Sequence, residues 1–192
     1  FLGKNFIKEM DRVGMIIDLS HCNERSSIEA MELSQNPVVF THANPSGYVG
    51  FDIELNKRNK SDELLKLLAS QGGVIGLSMY PKILKNGSKA TINDFCDMVA
   101  YTVDLIGIDH VGIGSDFYTG YTEEAVLWWR AGRWSRESPL NSPNKFSKWP
   151  TWFNNPSQFQ NLELALARKG FNPDEVSKII GKNWLNLFSK FF

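Results

Sequence analysis

Four side chains that could do chemistry stand directly after short apolar segments, namely His21, His42, Tyr80 and Asp116. Imidazole and carboxylate groups are common ligands of zinc. The two histidines are 21 residues apart, which fits one strand–helix–strand unit and would place them on neighbouring strands. Neighbouring strands lie about 4.8 Å apart, so both imidazoles could reach one metal ion. The spacing therefore favours a metal site, although a lone histidine at a strand end is more often a hydrogen-bonded loop residue.

The elements that must position these side chains alternate between strand and helix. Apolar, β-branched runs predict four strands, Met15–Ser20, Val38–Thr41, Val74–Met79 and Val111–Ser115. Helices are predicted at Glu24–Gln35, from the N-cap Ser61 to Gly72, and from the N-cap Thr91 to Gly107. This alternation predicts a parallel sheet with the polar side chains at its carboxyl edge. The sheet could be half of a (β/α)₈ barrel or part of an open doubly wound sheet.

Other polar residues close to the predicted strands fit structural roles better. His110 precedes the fourth strand, so we expect it at the opposite edge of the sheet. Cys22 is expected to point away from the site, and Asp18 and Asp109 are expected to support the backbone locally. The glycines of Gly112–Gly114 lack the third glycine and the helix start of a nucleotide-binding fingerprint. We expect them to allow close packing of a strand.

The chain changes character between about residues 118 and 160. Five of its six tryptophans lie there, together with four of its eight prolines. We expect a long insertion with one helix near Glu123–Ala131, serving either as a lid over the site or as an interface or core segment. Order returns in residues 161–192, where a helix is predicted at Asn161–Lys169 and a closing helix from Pro173.

Composition excludes several classes of protein. The 192 residues carry 21 basic and 21 acidic side chains, and this zero net charge argues against a nucleic-acid partner. No apolar run approaches the roughly 18 residues of a transmembrane helix, and two cysteines cannot form a disulfide scaffold. The chain opens on Phe1 without a signal-peptide pattern. We therefore expect it to come from the interior of a longer protein, and the sequence does not indicate a compartment.

Six short motifs are spread in order along nearly the whole chain. They are Gly14–His21 (GMIIDLSH), Pro37–Asn44 (PVVFTHAN), Lys57–Asn59 (KRN), Gly72–Gly76 (GGVIG), Gly107–Phe117 (GIDHVGIGSDF) and Gly181–Leu185 (GKNWL). Together they resemble the motifs of the renal (membrane) dipeptidase family. The resemblance implies a zinc-dependent dipeptidase on a (β/α)₈ barrel with two zinc ions in each complete site.

Individual roles follow from the resemblance residue by residue. His21 and His42 match the family's two histidines that bind one of the zinc ions. Arg58 matches the arginine that binds the carboxylate of the substrate, a task suited to the guanidinium fork. Asp116 matches the aspartate beside the amino end of the substrate, where it can also relay a proton to the leaving amine. Tyr80 lies where the family has an aromatic residue lining the substrate pocket.

The resemblance also implies that the chain is incomplete as a catalyst. The family's remaining ligands, a His-x-Asp motif and a bridging glutamate, lie in an N-terminal half that does not match any part of this sequence. We expect that half of the barrel to come from the same polypeptide or from a separate chain. Residues 1–192 would then be the C-terminal part of one barrel domain, and the family also suggests a homodimer. At Tyr118–Gly120 the sequence departs from the family pattern, which affects substrate scope.

Two other functions remain open at this level. A related binuclear metal hydrolase could act on other small amides or lactams, because Arg58 predicts a carboxylate on the substrate without choosing among such compounds. A metal-free scaffold or partner subunit could also have kept the fold. The joint presence of His21, His42, Arg58 and Asp116 speaks against this second alternative.

Overall fold

The chain folds around a short parallel β-sheet. The computed structural model describes residues 2–50, 56–122, 124–125 and 148–192. Its strands are β1 (Val39–Ala43), β2 (Val74–Leu77) and β3 (Val111–Ile113), in the order β1-β2-β3 and all parallel. The three predicted strands after the first are thus confirmed, with ends that differ by up to two residues. The alternation of strands and helices confirms the predicted mixed α/β class.

The prediction of a strand at Met15–Ser20 is wrong in extent. The segment makes a single parallel bridge, from Asp18 to Val39, supported by two backbone hydrogen bonds. The ladder stops because the next donor, the N–H of Thr41, bonds to the Asp18 carboxylate at 3.1 Å instead of to a backbone carbonyl. The segment still lies beside β1, so it delivers His21 to the expected edge.

Eight α-helices lie in the described part of the chain. They are α1 (Leu2–Arg12), α2 (Glu24–Leu33), α3 (Ser46–Val49), α4 (Asp62–Ser70), α5 (Ile92–Ile106), α6 (Phe159–Lys169), α7 (Pro173–Ser177) and α8 (Asn183–Phe188). A π turn, Lys178–Lys182, joins the last two into the predicted closing helix. The Ser61 side chain accepts from Leu64 N, and Thr91 forms a capping box with Asp94, so both predicted N-caps are confirmed. None of these helices is long and apolar enough to cross a membrane.

Within the described residues, a large apolar core holds the sheet and most helices together, and a smaller cluster of Val39, Val74 and Leu187 packs α8 on the sheet. All of β2 is buried, and the side chains of Phe40, Ile75 and Leu77 are closed off from solvent. Phe95 of α5 and Leu162 of α6 close the same core. A sheet packed by helices in this way buries its backbone, so its carboxyl edge is where polar side chains can reach solvent.

The described end of the predicted insertion belongs to the core. Phe153 is fully buried, and the indole of Trp152 donates to the carbonyl of Ala90 at 2.8 Å. Trp149 and Phe153 both contact the ring of Phe117 at the end of the β3 loop. The expectation of a core role therefore holds for Trp149, Trp152 and Phe153. The predicted helix at Glu123–Ala131 and Trp128, Trp129 and Trp134 lie outside the described residues, apart from Glu124 and Ala125.

The closing helix is fastened to β3 through the GKNWL motif. The Asn183 amide donates to the carbonyls of Ile108 and Val111 at 2.7 and 2.8 Å. The Trp184 indole donates to Ile113 at 3.1 Å and lies flat against Gly112, where a Cβ would come within 2.5 Å of its ring nitrogen. Gly112 is therefore needed for close packing of the strand, as expected.

Replacing Gly112 with alanine is expected to destabilise the protein by about 1–3 kcal/mol, because the new methyl group must push Trp184 away from Ile113. Chemical denaturation of the complete protein measures this. Gly181→Ala is the matched control, since a Cβ at Gly181 meets nothing within 4 Å. Equal stability of the two variants would contradict the packing argument.

Candidate functional site

Two imidazoles meet at the carboxyl edge of the sheet. His21 follows the bridged segment, and His42 lies in β1, where the register with β2 shifts between Phe40 and Ala43. This irregularity is a bulge that re-aims the side chain. It brings His21 Nε2 within 2.9 Å of His42 Nε2, with the ring centroids 5.0 Å apart. The structure therefore joins the two predicted metal ligands in one place.

A chain of hydrogen bonds fixes which nitrogen of His42 carries the proton. The Thr41 hydroxyl donates to Asp18 Oδ2 at 2.6 Å, and a carboxylate can only accept. A hydroxyl has one proton, so Thr41 Oγ1 must accept the 2.8 Å hydrogen bond that joins it to His42 Nδ1. His42 therefore carries a proton on Nδ1, and in the uncharged form of the ring Nε2 presents a lone pair.

Ser20 completes this arrangement, and we call Asp18, Ser20 and Thr41 the Asp18 network. The Ser20 hydroxyl donates to Asp18 Oδ1 at 2.5 Å and accepts from the backbone N–H of His42 at 3.1 Å. Burial alone would raise the pKa of Asp18, but hydrogen bonds from the hydroxyls and backbone N–H groups of Ser20 and Thr41 outweigh it and hold that pKa below its ordinary value. The Asp18 carboxylate thus holds the segment that carries His21 against β1, the strand that carries His42.

A hydrogen bond from Arg58 shows that Nε2 of His21 is an acceptor and carries no proton. Arg58 Nη2 donates to His21 Nε2 at 2.9 Å, and a guanidinium cannot accept, so that nitrogen also presents a lone pair. Partial burial lowers the pKa of His21, and the positive charge of Arg58 adds to the effect. The neutral imidazole is favoured, which is the form that binds metals.

The facing nitrogens are suited to a cation. Two lone pairs 2.9 Å apart repel each other unless a positive charge lies between or beside them. Bonds of about 2.0–2.1 Å to a tetrahedral zinc ion separate two ligand nitrogens by about 3.4 Å, so a small outward shift of either ring admits the ion. The pair therefore fits a metal such as zinc, for which imidazole is a common ligand.

The described residues do not supply a complete set of ligands. Within them, no three His, Cys, Asp or Glu side chains group closely enough to hold a metal ion. His110 bonds through Nδ1 to the carbonyl of Gly73 at 2.8 Å, in keeping with its predicted place outside the site. A complete metal centre thus needs ligands from beyond the described part of the chain.

A buried lysine holds the turn that carries His21. Lys60 is 3% exposed, and its Nζ donates to the carbonyls of Leu19 and Cys22 at 3.1 and 2.7 Å. The ammonium also lies 4.7 Å from the centre of the Phe40 ring, and burial lowers its pKa. Because the two carbonyls flank His21, Lys60 fixes the backbone on both sides of that histidine.

The two remaining predicted site residues lie at the same edge of the sheet. Asp116 follows β3, is exposed and has a φ of 59°, which turns the chain sharply at this point. Its charge acts on His21, where it opposes the lowering of the pKa. Tyr80 follows β2 and is buried, with its ring edge-on to Trp149 at 5.9 Å. Tyr80 thus lies within a wall of aromatic side chains.

Sequence reasoning missed the contacts by which Asp18, Ser20, Thr41 and Lys60 hold the segments that carry His21 and His42. Asp18 was expected to have a local structural role, and neither Thr41 nor Lys60 was singled out. The available signal was the strand periodicity that places Asp18 and Ser20 on one face beside a histidine-bearing neighbour. No comparable signal existed for Lys60, because its contacts are to backbone carbonyls 38 and 41 residues away.

The fold and the site together define an α/β protein with a candidate metal centre of paired histidines at the carboxyl edge of its sheet. Residues 1–126 match the model of the family described as membrane dipeptidase (peptidase family M19), and the chain belongs to this family. The resemblance stated from the motifs is therefore confirmed.

Curated relatives are also described as dipeptidases. Dipeptidase tcpJ of Claviceps purpurea is 30% identical over 182 residues, which make up 94% of this chain and 36% of the relative. An uncharacterized dipeptidase of Schizosaccharomyces pombe is 36% identical over 117 residues, or 60% of this chain and 27% of the relative. The chain spans about a third of the length of these relatives.

Solved structures share the fold. An amidohydrolase from Pseudomonas aeruginosa superposes with a TM-score of 0.83 at 33% identity, covering 96% of this chain and 55% of that chain. A metallopeptidase from Rhodobacter sphaeroides gives a TM-score of 0.77 at 22% identity, covering 99% of this chain and 46% of that one. The mixed α/β fold is thus the fold of about half of each of these proteins.

Proposed function

We propose that this chain is the C-terminal half of a (β/α)₈ barrel in a zinc-dependent dipeptidase. The observation that carries the proposal is the approach of His21 Nε2 and His42 Nε2 to 2.9 Å beside Arg58. Membership of the dipeptidase family and the half-length match to solved structures support it. Residues 1–192 then form one part of one domain, with an insertion at about 118–160 and closing helices at 161–192.

His21 and His42 would hold one of two zinc ions. The remaining ligands, including one that bridges the ions, would come from the N-terminal half in the same or a separate chain. Zinc bound there would act as a Lewis acid that lowers the pKa of a water molecule and polarises the carbonyl of the scissile peptide bond. The Asp18 network and Lys60 keep the two imidazoles in place for this.

Arg58 would bind the carboxylate of the dipeptide. Among the described residues its Nε has no hydrogen-bond partner although it is shielded from solvent, and its Nη2 rests on His21. With His21 Nε2 bound to a metal, Arg58 Nη2 would be free to join Nε in binding a carboxylate. The arginine would then lie next to the metal position, where the substrate carboxylate is expected.

Asp116 would bind the ammonium group of the substrate and move a proton to the leaving amine. Its exposed carboxylate stands at the turn after β3, at the same edge as the histidines. Tyr80 and the aromatic residues around it would form one wall of the pocket for the substrate. These roles define a small site that is selective for compounds with a free amine and a free carboxylate.

Asp116→Asn is expected to lower kcat/KM for a free dipeptide by about 10²-fold or more, because both the charge and the proton carrier are lost. An N-acetylated dipeptide, which lacks the ammonium, should lose less activity, because only the loss of the proton carrier affects it. Steady-state kinetics with both substrates measures this, and Asp104→Asn on the exposed face of α5 is the matched control. Equal losses on both substrates would contradict the ammonium contact.

The test of the function is zinc analysis and a substrate panel on the complete enzyme that contains this chain. About two zinc ions per site and hydrolysis of dipeptides support the proposal. Preference for lactams or other small amides would favour the second candidate, which the similarity to an amidohydrolase of Pseudomonas aeruginosa supports. A folded protein without zinc and without hydrolysis would identify a scaffold subunit. The predicted homodimer can be checked by the mass of the same sample.

A further inference from the structure

We propose that the Asp18 network is a positioning device that presents the bare Nε2 of His42 to the metal and sets its distance from His21. This inference rests on the proposed zinc site and adds a role for residues that do not touch the metal. Asp18 and Ser20 belong to the segment that carries His21, whereas Thr41 belongs to the strand that carries His42. The network therefore links the two ligand-bearing segments through side chains, in addition to their backbone hydrogen bonds at Val39.

Each member of the network fixes a different feature of His42: the bulge that carries it, the position of its main chain, or the orientation and tautomer of its ring. The Asp18 carboxylate accepts from the backbone N–H and the hydroxyl of Thr41, which holds the bulge of β1. The Ser20 hydroxyl accepts from the backbone N–H of His42, which ties its main chain to the neighbouring segment. The Thr41 hydroxyl receives Nδ1–H, which fixes the rotation and the tautomer of the ring.

The tautomer of His42 matters because a proton on Nε2 would prevent this nitrogen from binding a metal ion. If His42 carried its proton on Nε2, it would donate to His21 Nε2 across the 2.9 Å that separates them. That hydrogen bond would occupy both lone pairs intended for the metal. The Asp18 carboxylate prevents this, because it holds the Thr41 proton and leaves Thr41 Oγ1 able only to accept.

Thr41→Val tests the proposal in the complete enzyme. Valine keeps the shape but removes the hydroxyl, so zinc affinity, measured by competition with a chelator, is expected to fall about 10- to 100-fold. Thr41→Ser restores a hydroxyl and should recover most of that affinity. Thr102→Val is the matched control, since it removes a buried hydroxyl that donates to Met98 O within α5, away from the site.

Asp18→Asn gives a second test that does not remove any hydroxyl. The amide can donate to Thr41 Oγ1, which lets the Thr41 proton turn towards His42 Nδ1 and favours the Nε2–H tautomer, as in other histidines whose supporting aspartate is replaced. Nitrogen chemical shifts of ¹⁵N-histidine in the metal-free enzyme report the tautomer directly. The wild type should show Nδ1–H for His42, and Asp18→Asn should show a larger population of Nε2–H.

The outcomes separate this inference from the proposed function. If Thr41→Val and Thr102→Val bind zinc equally well, or if the His42 tautomer is the same in wild type and Asp18→Asn, the inference is wrong while the zinc site stands. If the wild type itself binds no zinc, the proposed function fails first. A loss of affinity in Thr41→Val that Thr41→Ser reverses, together with the tautomer change, supports the positioning role.

Discussion

His42→Ala in the complete enzyme is expected to abolish binding of one zinc ion and to lower kcat by at least about 10³-fold. The reason is that His42 offers one of only two imidazole nitrogens that converge in the described part of the chain. A catalytic zinc ion normally has three protein ligands, so the loss of one leaves too few to hold it. Removing the Lewis acid takes away several kcal/mol of transition-state stabilisation, which corresponds to this change in rate.

The measurement combines zinc content per chain with steady-state kinetics on a dipeptide. His110→Ala is the matched control, because His110 bonds to the carbonyl of Gly73 at the other end of β3. This control should keep its zinc and its activity. Full zinc content in His42→Ala would remove His42 from the metal site and, with it, the basis of the Asp18 network's proposed role.

The second large effect is expected at Arg58. Arg58→Ala should raise KM for dipeptides about 10- to 100-fold, the range expected when a charge-assisted contact to a carboxylate is lost. Arg58→Lys should recover only part of the loss, since an ammonium cannot form the two parallel hydrogen bonds of a guanidinium. A dipeptide amide, which lacks the carboxylate, should react equally poorly with wild type and variant.

Zinc binding provides an independent check on Arg58. The arginine now donates to His21 Nε2, so its removal should leave zinc affinity unchanged or slightly higher. Arg25→Ala is the matched control, because Arg25 pairs with Glu29 on the exposed face of α2. Unchanged KM in Arg58→Ala, with normal zinc content, would move the carboxylate contact to another residue.

Much of the fold followed from local patterns in the sequence. Ser61 and Thr91 begin their helices where predicted, since a side chain that caps backbone N–H groups acts within three residues. The strands around Phe40 and Ile75 followed from continuous apolar runs. The strand at Met15–Ser20 was overestimated because its ladder is ended by the side chain of Asp18, which no propensity describes.

The two histidines of the candidate site could be predicted from the sequence more readily than the residues that hold them in place. His21 and His42 follow apolar runs of similar kind, which is visible in the sequence. The dependence of His42 on Asp18 and Thr41 needs a bulge that places a hydroxyl between a carboxylate and a ring. The contact of Arg58 with His21 spans 37 residues and depends on the turn that Lys60 holds. Such contacts arise from tertiary structure and leave no periodic trace.

The position of Lys60 limits how the proposed range of substrates could change during evolution. Only Asn59 separates Arg58, the proposed anchor for the carboxylate, from Lys60, whose ammonium binds the backbone carbonyls on both sides of His21. If Arg58 and His21 have the roles proposed above, any repositioning of Arg58 would also displace a metal ligand, so we expect substitutions here not to extend the range of substrates. Asp116 and Tyr80 stand on separate loops without that linkage, and laboratory selection for new specificities should concentrate its successful substitutions there.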